Sequence, residues 1–104
     1  MRTWVTPQDV QAEWPDALLD EEILERLITA AQEVLEPFAP TLPAEAAVPA
    51  RYQEALILHI REVWRAAERD GDVIGVGEFA VRARSMTDMV KSLLRPKRGK
   101  PTLR

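Results

Sequence analysis

Few residues in this sequence have the type and spacing that catalysis or metal binding requires, and each of them has a simpler structural explanation. His59 is the single histidine among 104 residues, and no serine or carboxylate is spaced to share a proton with it. We therefore interpret His59 as a packed or interfacial side chain. Asp20, Glu21 and Glu22 could bind a cation, but they lack the ligand spacing of a calcium loop, and stabilisation of a helix start explains them. We expect no catalytic site, no metal site and no cofactor.

Other kinds of site are excluded by what the sequence lacks. With no cysteine, it can form no disulfide, thiolate zinc site or thiol nucleophile. Gly71, Gly75 and Gly77 follow a predicted helix or lie in a predicted turn, so they do not form a dinucleotide-binding fingerprint. The longest apolar run is four residues, 55–58, and the N-terminus lacks the layout of a signal peptide. We expect a protein that crosses no membrane and is made in the cytoplasm.

The net charge of −3 conceals an uneven distribution along the chain. Residues 1–50 contain ten acidic and two basic residues, whereas residues 51–104 contain seven acidic and twelve basic residues. The two halves therefore carry charges of −8 and +5. Such an asymmetry is compatible with solubility, with steering of a partner, or with head-to-tail self-association, and charge alone does not choose among these.

A short helix is predicted near the N-terminus. Thr6 can cap it, Pro7 suits its first turn, and Asp9 supplies the acidic residue of a capping box. The helix must end near Trp14, because the following Pro15 disfavours a helical conformation in the residue before it.

Two longer amphipathic helices are predicted to follow. The first begins after Asp20 and ends at Glu36, where a proline comes next. The second opens at Pro49 and runs to about Asp70, with one apolar stripe and charged residues on its other faces. The connection between them, residues 37–49, contains four of the eight prolines. We therefore expect an ordered, stiff connection and not a domain boundary.

The region before the last helix has a different periodicity. Phe79, Val81 and Ala83 alternate with other residues in the manner of a half-buried strand, and residues 73–76 could pair with it in a hairpin. Ser85 is then predicted to cap a last helix, with an acidic residue three positions later completing a capping box.

These elements predict a mainly α fold, a small bundle of three to four helices. A short β-hairpin or extended loop precedes the last helix, and an extended C-terminal tail follows it. Residues 1–95 would form the helical domain and residues 96–104 the tail, in which no acidic residue occurs. Nonspecific phosphate contact, docking on an acidic groove of a partner, and a functionless solvated end are all open interpretations of the tail.

The order of the elements forms a recognisable series. Its markers are Thr-Pro-Gln-Asp-Val at 6–10, the helix at 20–35, Glu-Pro-Phe-Ala-Pro at 36–40, Val-Pro-Ala-Arg-Tyr at 48–52, Arg-Glu-Val-Trp-Arg-Ala-Ala at 61–67 and Val-Lys-Ser-Leu-Leu-Arg-Pro at 90–96. With these markers the sequence resembles the head-to-tail connector (adaptor) proteins of long-tailed double-stranded DNA phages. The resemblance covers nearly the whole chain, and it rests on patterns of residue type.

The resemblance implies a structural virion protein and no enzyme. Members of that family form a ring, usually of twelve subunits, beneath the portal in the neck of the virion. The ring extends the DNA channel and offers a platform to the next connector or stopper protein. The implied partners are therefore the portal protein, that next protein and further copies of this chain, while genomic DNA passes through without sequence-specific binding.

Three contact regions follow as expectations. The family's C-terminal segment reaches the portal, a role that falls here to Arg95, Pro96, Lys97, Arg98, Lys100, Pro101, Leu103 and Arg104. The excursion at 73–84 would meet the next ring or the channel through Val76, Gly77, Glu78, Arg82 and Arg84. Subunits of a heterologous ring could pair an acidic with a basic helix, with candidates Asp20, Glu21, Glu25, Arg61, Arg65 and Arg69.

An alternative function is a small nucleic-acid-binding or regulatory protein that uses the basic tail on phosphates. It predicts binding to any duplex that weakens steeply with salt and is lost when the tail is removed. The acidic isoelectric point, about 5.2, and the absence of a basic recognition helix count against it.

Overall fold

Helices account for the regular structure of the chain, as the sequence predicts. The computed structural model describes residues 3–15, 20–69 and 75–95, and within these ranges it contains no strand. The longest helix packs against three of the others, and the second helix packs against the first and the fourth. The five helices of the described ranges are α1 (Pro7–Glu13), α2 (Glu21–Leu35), α3 (Ala50–Arg69), α4 (Val76–Arg82) and α5 (Asp88–Leu94).

The start of α1 confirms the predicted capping box. The Thr6 hydroxyl accepts a hydrogen bond from the Asp9 backbone N–H at 3.2 Å, and the Asp9 carboxylate accepts one from the Thr6 N–H at 2.9 Å. Two N–H groups that a helix start leaves without partners are satisfied in this way. The helix ends at Glu13 with Trp14 as its C-cap, before the proline that the sequence identified as its limit.

The two long helices also begin and end close to the predicted residues. α2 starts after Asp20 and stops before Glu36, and α3 follows Pro49 directly. Their apolar stripes join one hydrophobic core, because each stripe recurs at the helical spacing that keeps it on one face. The fully buried members are Leu24, Leu27, Ala31 and Leu35 of α2 and Ala55, Leu56, Ile60 and Ala67 of α3.

The predicted β-hairpin is wrong, because its principal strand belongs to a helix. Phe79 and Ala83 are fully buried, whereas Val81 between them is 62% exposed. A strand would place all three side chains on one face, but a helix places only residues four apart together. The four-residue spacing of Phe79 and Ala83 is compatible with a strand and with a helix. The exposure of Val81 is compatible only with the helix, α4. The predicted partner segment, 73–76, lies outside the described residues except for its last two positions.

The cap of the last helix also differs from the prediction. Thr87, and not Ser85, precedes α5, and its hydroxyl accepts a hydrogen bond from the Val90 N–H at 3.3 Å. The Ser85 N–H instead closes a turn onto the Arg82 carbonyl at 3.2 Å. The helix therefore starts two residues later than the sequence indicates, because α4 and its turn occupy the residues before it.

The described ranges contain neither a membrane-spanning helix nor a metal-binding cluster. None of the helices found there is long and apolar enough to cross a membrane. The same ranges hold no group of three or more histidine, aspartate or glutamate side chains placed to bind a metal ion.

Candidate functional site

One exposed side of α2 carries an acidic ridge, defined here as Glu21, Glu25, Thr29 and Glu33. Its members are four residues apart and exposed, so they follow one another along the helix surface. Shallow concavities flank the ridge, and Glu25 and Thr29 line one on each side. Within the described residues none of the three carboxylates has an ion-pair partner. The exposed pair on this helix joins Glu22 and Arg26, at 3.5 Å.

The predicted candidate Asp20 lies at the start of this ridge. It is the N-cap of α2, and its exposed side chain makes no capping hydrogen bond. Its carboxylate therefore adds negative charge to the same end of the helix, where the helix dipole favours it.

A basic ridge, defined here as Arg61, Arg65 and Arg69, lies along α3 with the same four-residue spacing. Arg65 and Arg69 are exposed, and Arg61 is half-buried. The Arg61 Nε is buried and has no hydrogen-bond partner in the part of the chain that the structure describes. No ion pair within the described residues engages the three guanidinium groups. The fold therefore leaves two ridges of opposite charge, neither of which has an ion-pair partner among the described residues.

The predicted contact region around α4 is organised differently. Glu78 and Arg82 pair with each other along the helix, with the Arg82 Nε 2.9 Å from a Glu78 oxygen. Gly77 and Arg84 are exposed, and the side chain of Val76 is not among those described. The two charges that the sequence offered for an outside contact are thus partly neutralised by one another.

The predicted docking tail begins at a fixed point. Arg95 follows α5, its Nε donates a hydrogen bond to the Phe38 carbonyl oxygen, and its guanidinium lies 5.5 Å from the centre of the Phe38 ring. The end of α5 is thereby tied to the connection between α2 and α3. The other tail candidates lie outside the described residues, and they are Pro96, Lys97, Arg98, Lys100, Pro101, Leu103 and Arg104.

A groove of about 450 Å³ lies next to this point, and the sequence gave no direct sign of it. We call it the Trp4 groove and define it by Trp4, Glu36, Pro40, Leu42 and Tyr52. The rings of Trp4 and Tyr52 pack 4.9 Å apart, and the Tyr52 hydroxyl donates to the Pro40 carbonyl at 2.8 Å. An aromatic residue near the N-terminus and a proline-rich connection were the available signals, but only the fold brings them together.

Buried polar side chains hold the Trp4 groove in shape. The Trp4 N–H donates to the Gln32 side-chain oxygen at 2.9 Å, and the Gln53 amide donates to the Trp4 carbonyl at 3.0 Å. The Gln32 amide in turn donates to a Glu36 carboxylate oxygen at 3.3 Å. Because the N–H and the carbonyl of Trp4 are both hydrogen-bonded, this wall of the groove is already in place before any ligand binds.

His59 occupies a structural position, in agreement with its interpretation from sequence. Its Nε2 lies 2.7 Å from the Ala83 carbonyl, which can only accept, so Nε2 carries the proton and donates. Burial lowers the pKa of His59 below the usual 6.5, although the Ala83 bond and the nearby Glu62 oppose that change. The Nδ1 atom is buried, and no described residue forms a hydrogen bond with it. The neutral imidazole therefore links α3 to the end of α4.

No protein-family model, curated protein or solved structure matches this chain. The structure brings the acidic residues together on α2 and the basic residues together on α3, and it joins the tail's first residue to the connection beside the Trp4 groove. It does not bring the two ridges into contact within one chain.

Proposed function

We propose that this protein is a structural subunit of the head-to-tail connector of a long-tailed double-stranded DNA phage. In this role it forms a ring under the portal, extends the DNA channel and joins capsid to tail in the neck of the virion. The observation that carries the proposal is the pair of oppositely charged ridges on one small helical body, neither of which is ion-paired within the described ranges. The resemblance of the sequence to connector proteins gives that self-association a biological setting.

The ridges favour a head-to-tail contact between copies. A ridge of carboxylates meets a ridge of guanidinium groups, and each copy keeps one ridge of each sign for its two neighbours. Such a heterologous contact closes into a ring when the rotation between neighbours permits it. The matching four-residue spacing on both helices allows side chains of one ridge to lie between those of the other.

Charge alone is too weak to hold the ring. An exposed ion pair contributes only about 0.2–1 kcal/mol, and salt screens it. We therefore assign register and steering to the ridges, and most of the affinity to apolar contact. The half-buried Ala30 beside the acidic ridge and Ile23, which is 36% exposed on the same helix, offer such contact.

The remaining contacts complete the proposal. The portal is the partner of the basic tail, which leaves the body of the protein at Arg95. The exposed side of α4, with Gly77, Glu78 and Arg84, is the candidate contact with the next connector or stopper protein. In this function the protein has no catalytic residues and no cofactor, and the DNA passes through the channel without sequence-specific contacts.

Charge reversal tests the ring contact. Glu25→Arg and Arg65→Glu should each weaken ring formation on purified portal from the same phage, as judged by co-sedimentation and electron microscopy. The two substitutions together should restore it, because the pair is re-formed with opposite polarity. Glu54→Arg reverses an exposed charge of α3 outside the basic ridge and serves as the control. Rings that form equally well with every single variant would exclude the ridge contact.

Removal of the tail tests the portal contact separately. A chain that ends at Arg95 retains the contact with Phe38 and should fail to co-sediment with the portal, whereas the full chain should bind. If neither chain binds the portal and the full chain binds duplex DNA in a salt-dependent manner, the nucleic-acid-binding function replaces the connector.

A further inference from the structure

We propose that, in the free protein, the Trp4 groove binds the chain's own C-terminal tail, residues 96–104. The proposal concerns a contact within one molecule, and it does not depend on the connector function. It rests on where the tail begins, on the charge and shape of the groove, and on the residues that the tail contains.

The tail begins close to a residue that lines the groove. Arg95 is tied to Phe38 by a hydrogen bond and by its position over the Phe38 ring. Pro40, which lines the groove, comes two residues after Phe38 in the sequence. Two residues span at most about 7 Å and nine residues about 30 Å. The tail is therefore long enough to reach every part of its own groove.

The charge of the groove is complementary to that of the tail. The Glu36 carboxylate lines the groove and is held by the Gln32 amide, and it has no ion-pair partner within the described residues. The tail contains four basic residues and no acidic one. A fixed carboxylate beside an apolar surface is a strong site for an ammonium or guanidinium group, because the partly dehydrated surroundings reduce screening.

The apolar part of the groove suits the other residues of the tail. Aromatic and proline-lined grooves bind extended, proline-containing segments, which lose little conformational entropy when they bind. The tail contains Pro96, Pro101 and Leu103 among its basic residues. Leu103 is its one large apolar side chain, so it is the natural occupant of the space beside Trp4 and Leu42.

The aromatic rings of this region already bind arginine. The Arg51 guanidinium lies 5.2 Å from the centre of the Tyr52 ring, as Arg95 does over Phe38. Such contacts contribute about 0.5–1 kcal/mol at exposed sites. The surface around the groove therefore tolerates cations on its aromatic faces in addition to the carboxylate.

Attachment makes even weak binding sufficient. A segment joined by a short linker experiences an effective concentration in the millimolar range, so a site with a millimolar dissociation constant is already substantially occupied. Any partner that binds the tail must then compete with the groove. Binding of the tail to the groove would thus lower the apparent affinity of the tail for that partner.

A spin label on the tail tests the proposal in the full chain. Because the sequence contains no cysteine, Thr102→Cys creates a single attachment site and leaves Leu103 in place. The paramagnetic label should broaden the NMR signals of the Trp4 indole and of residues 40–44 at a concentration where the protein is monomeric. Trp14 and Trp64 do not line the groove and serve as internal references.

Two further samples decide how the tail is recognised. Glu36→Gln should reduce the broadening at Trp4, whereas Glu22→Gln, at an exposed acid of the same helix outside the acidic ridge, should leave it unchanged. A mixture of labelled protein invisible to NMR and unlabelled protein visible to NMR should show no broadening. Broadening that is equal at all three tryptophans, that appears in the mixture, or that is insensitive to Glu36→Gln would overturn the proposal.

Discussion

Gln32 and His59 are the two polar side chains buried among the described core residues, and their surroundings differ. On the Gln32 side, where α2 meets the N-terminal segment, the amide oxygen binds the Trp4 N–H and the amide nitrogen binds Glu36. On the His59 side, where α3 meets α4 and α5, one ring nitrogen binds the Ala83 carbonyl and the other has no partner.

On the Gln32 side, both ends of the buried amide are hydrogen-bonded. On the His59 side, only one of the two ring nitrogens is. A satisfied buried amide fixes its neighbours at every pH, because it does not titrate. A buried imidazole with one unpaired nitrogen contributes less and responds to protons. We therefore expect the Gln32 side, which holds the Trp4 groove, to be rigid, and the joint between α4 and α5 to be the adjustable part of the fold.

The largest effect should come from the apolar contact on the His59 side. Phe79→Ala removes a fully buried ring from α4 and should lower the free energy of unfolding by about 3–5 kcal/mol. Val81→Ala removes an exposed side chain of the same helix and should change it by no more than about 0.5 kcal/mol. Urea denaturation of both variants checks the pair. Equal losses would indicate a strand, in which both side chains share one face.

The next effect compares the two buried polar residues directly. Gln32→Leu leaves the Trp4 N–H buried without a partner and should cost about 1–3 kcal/mol in unfolding free energy. His59→Leu also leaves the Ala83 carbonyl without its donor, but it should cost less, because it removes a buried unpaired nitrogen at the same time. Thermal and urea denaturation measure both variants. A greater loss for His59→Leu would reverse the assignment of the rigid side.

The helix caps should give smaller effects on both sides. Thr6→Ala removes the capping box of α1, and Thr87→Ala removes the cap of α5, each at a cost of about 1 kcal/mol. The loss of stability should be slightly larger for Thr87→Ala, because the Thr87 hydroxyl also donates a hydrogen bond to Glu62 at 2.9 Å. Thr6→Ser and Thr87→Ser keep the hydroxyl and are the matched controls in denaturation experiments.

Acidification should have the smallest effect, since it adds a proton on the His59 side alone. The pKa of His59 is lowered in the folded protein by burial, so the unfolded chain binds the proton more readily near pH 6.5. The contribution to stability is complete well above pH 6.5 and is lost as the pH falls through that value toward the folded pKa. Denaturation between pH 7.5 and about 5.5 should show this decrease in the natural chain and not in His59→Gln.

Local signals in the sequence were sufficient where the structure is determined locally. Thr6 and Asp9 specify their capping box through three residues, and the prolines after Trp14 and Glu36 end two helices by sterics alone. The spacing of Phe79 and Ala83 is compatible with two periods, and only packing of α4 against α2 and α3 selects the helix. The Trp4 groove is held by a hydrogen bond between Gln53 and Trp4, 49 positions apart, which no local pattern encodes.

The contact between Arg95 and Phe38 joins positions 57 residues apart in the sequence, and it determines how the molecule carries load. A pull on the chain beyond Arg95 acts first on this contact and only then on the hydrogen bonds of α5. The force therefore passes sideways into the connection between the two longest helices. A tail that is held under tension would transmit that tension to the core without unwinding the helix that bears it.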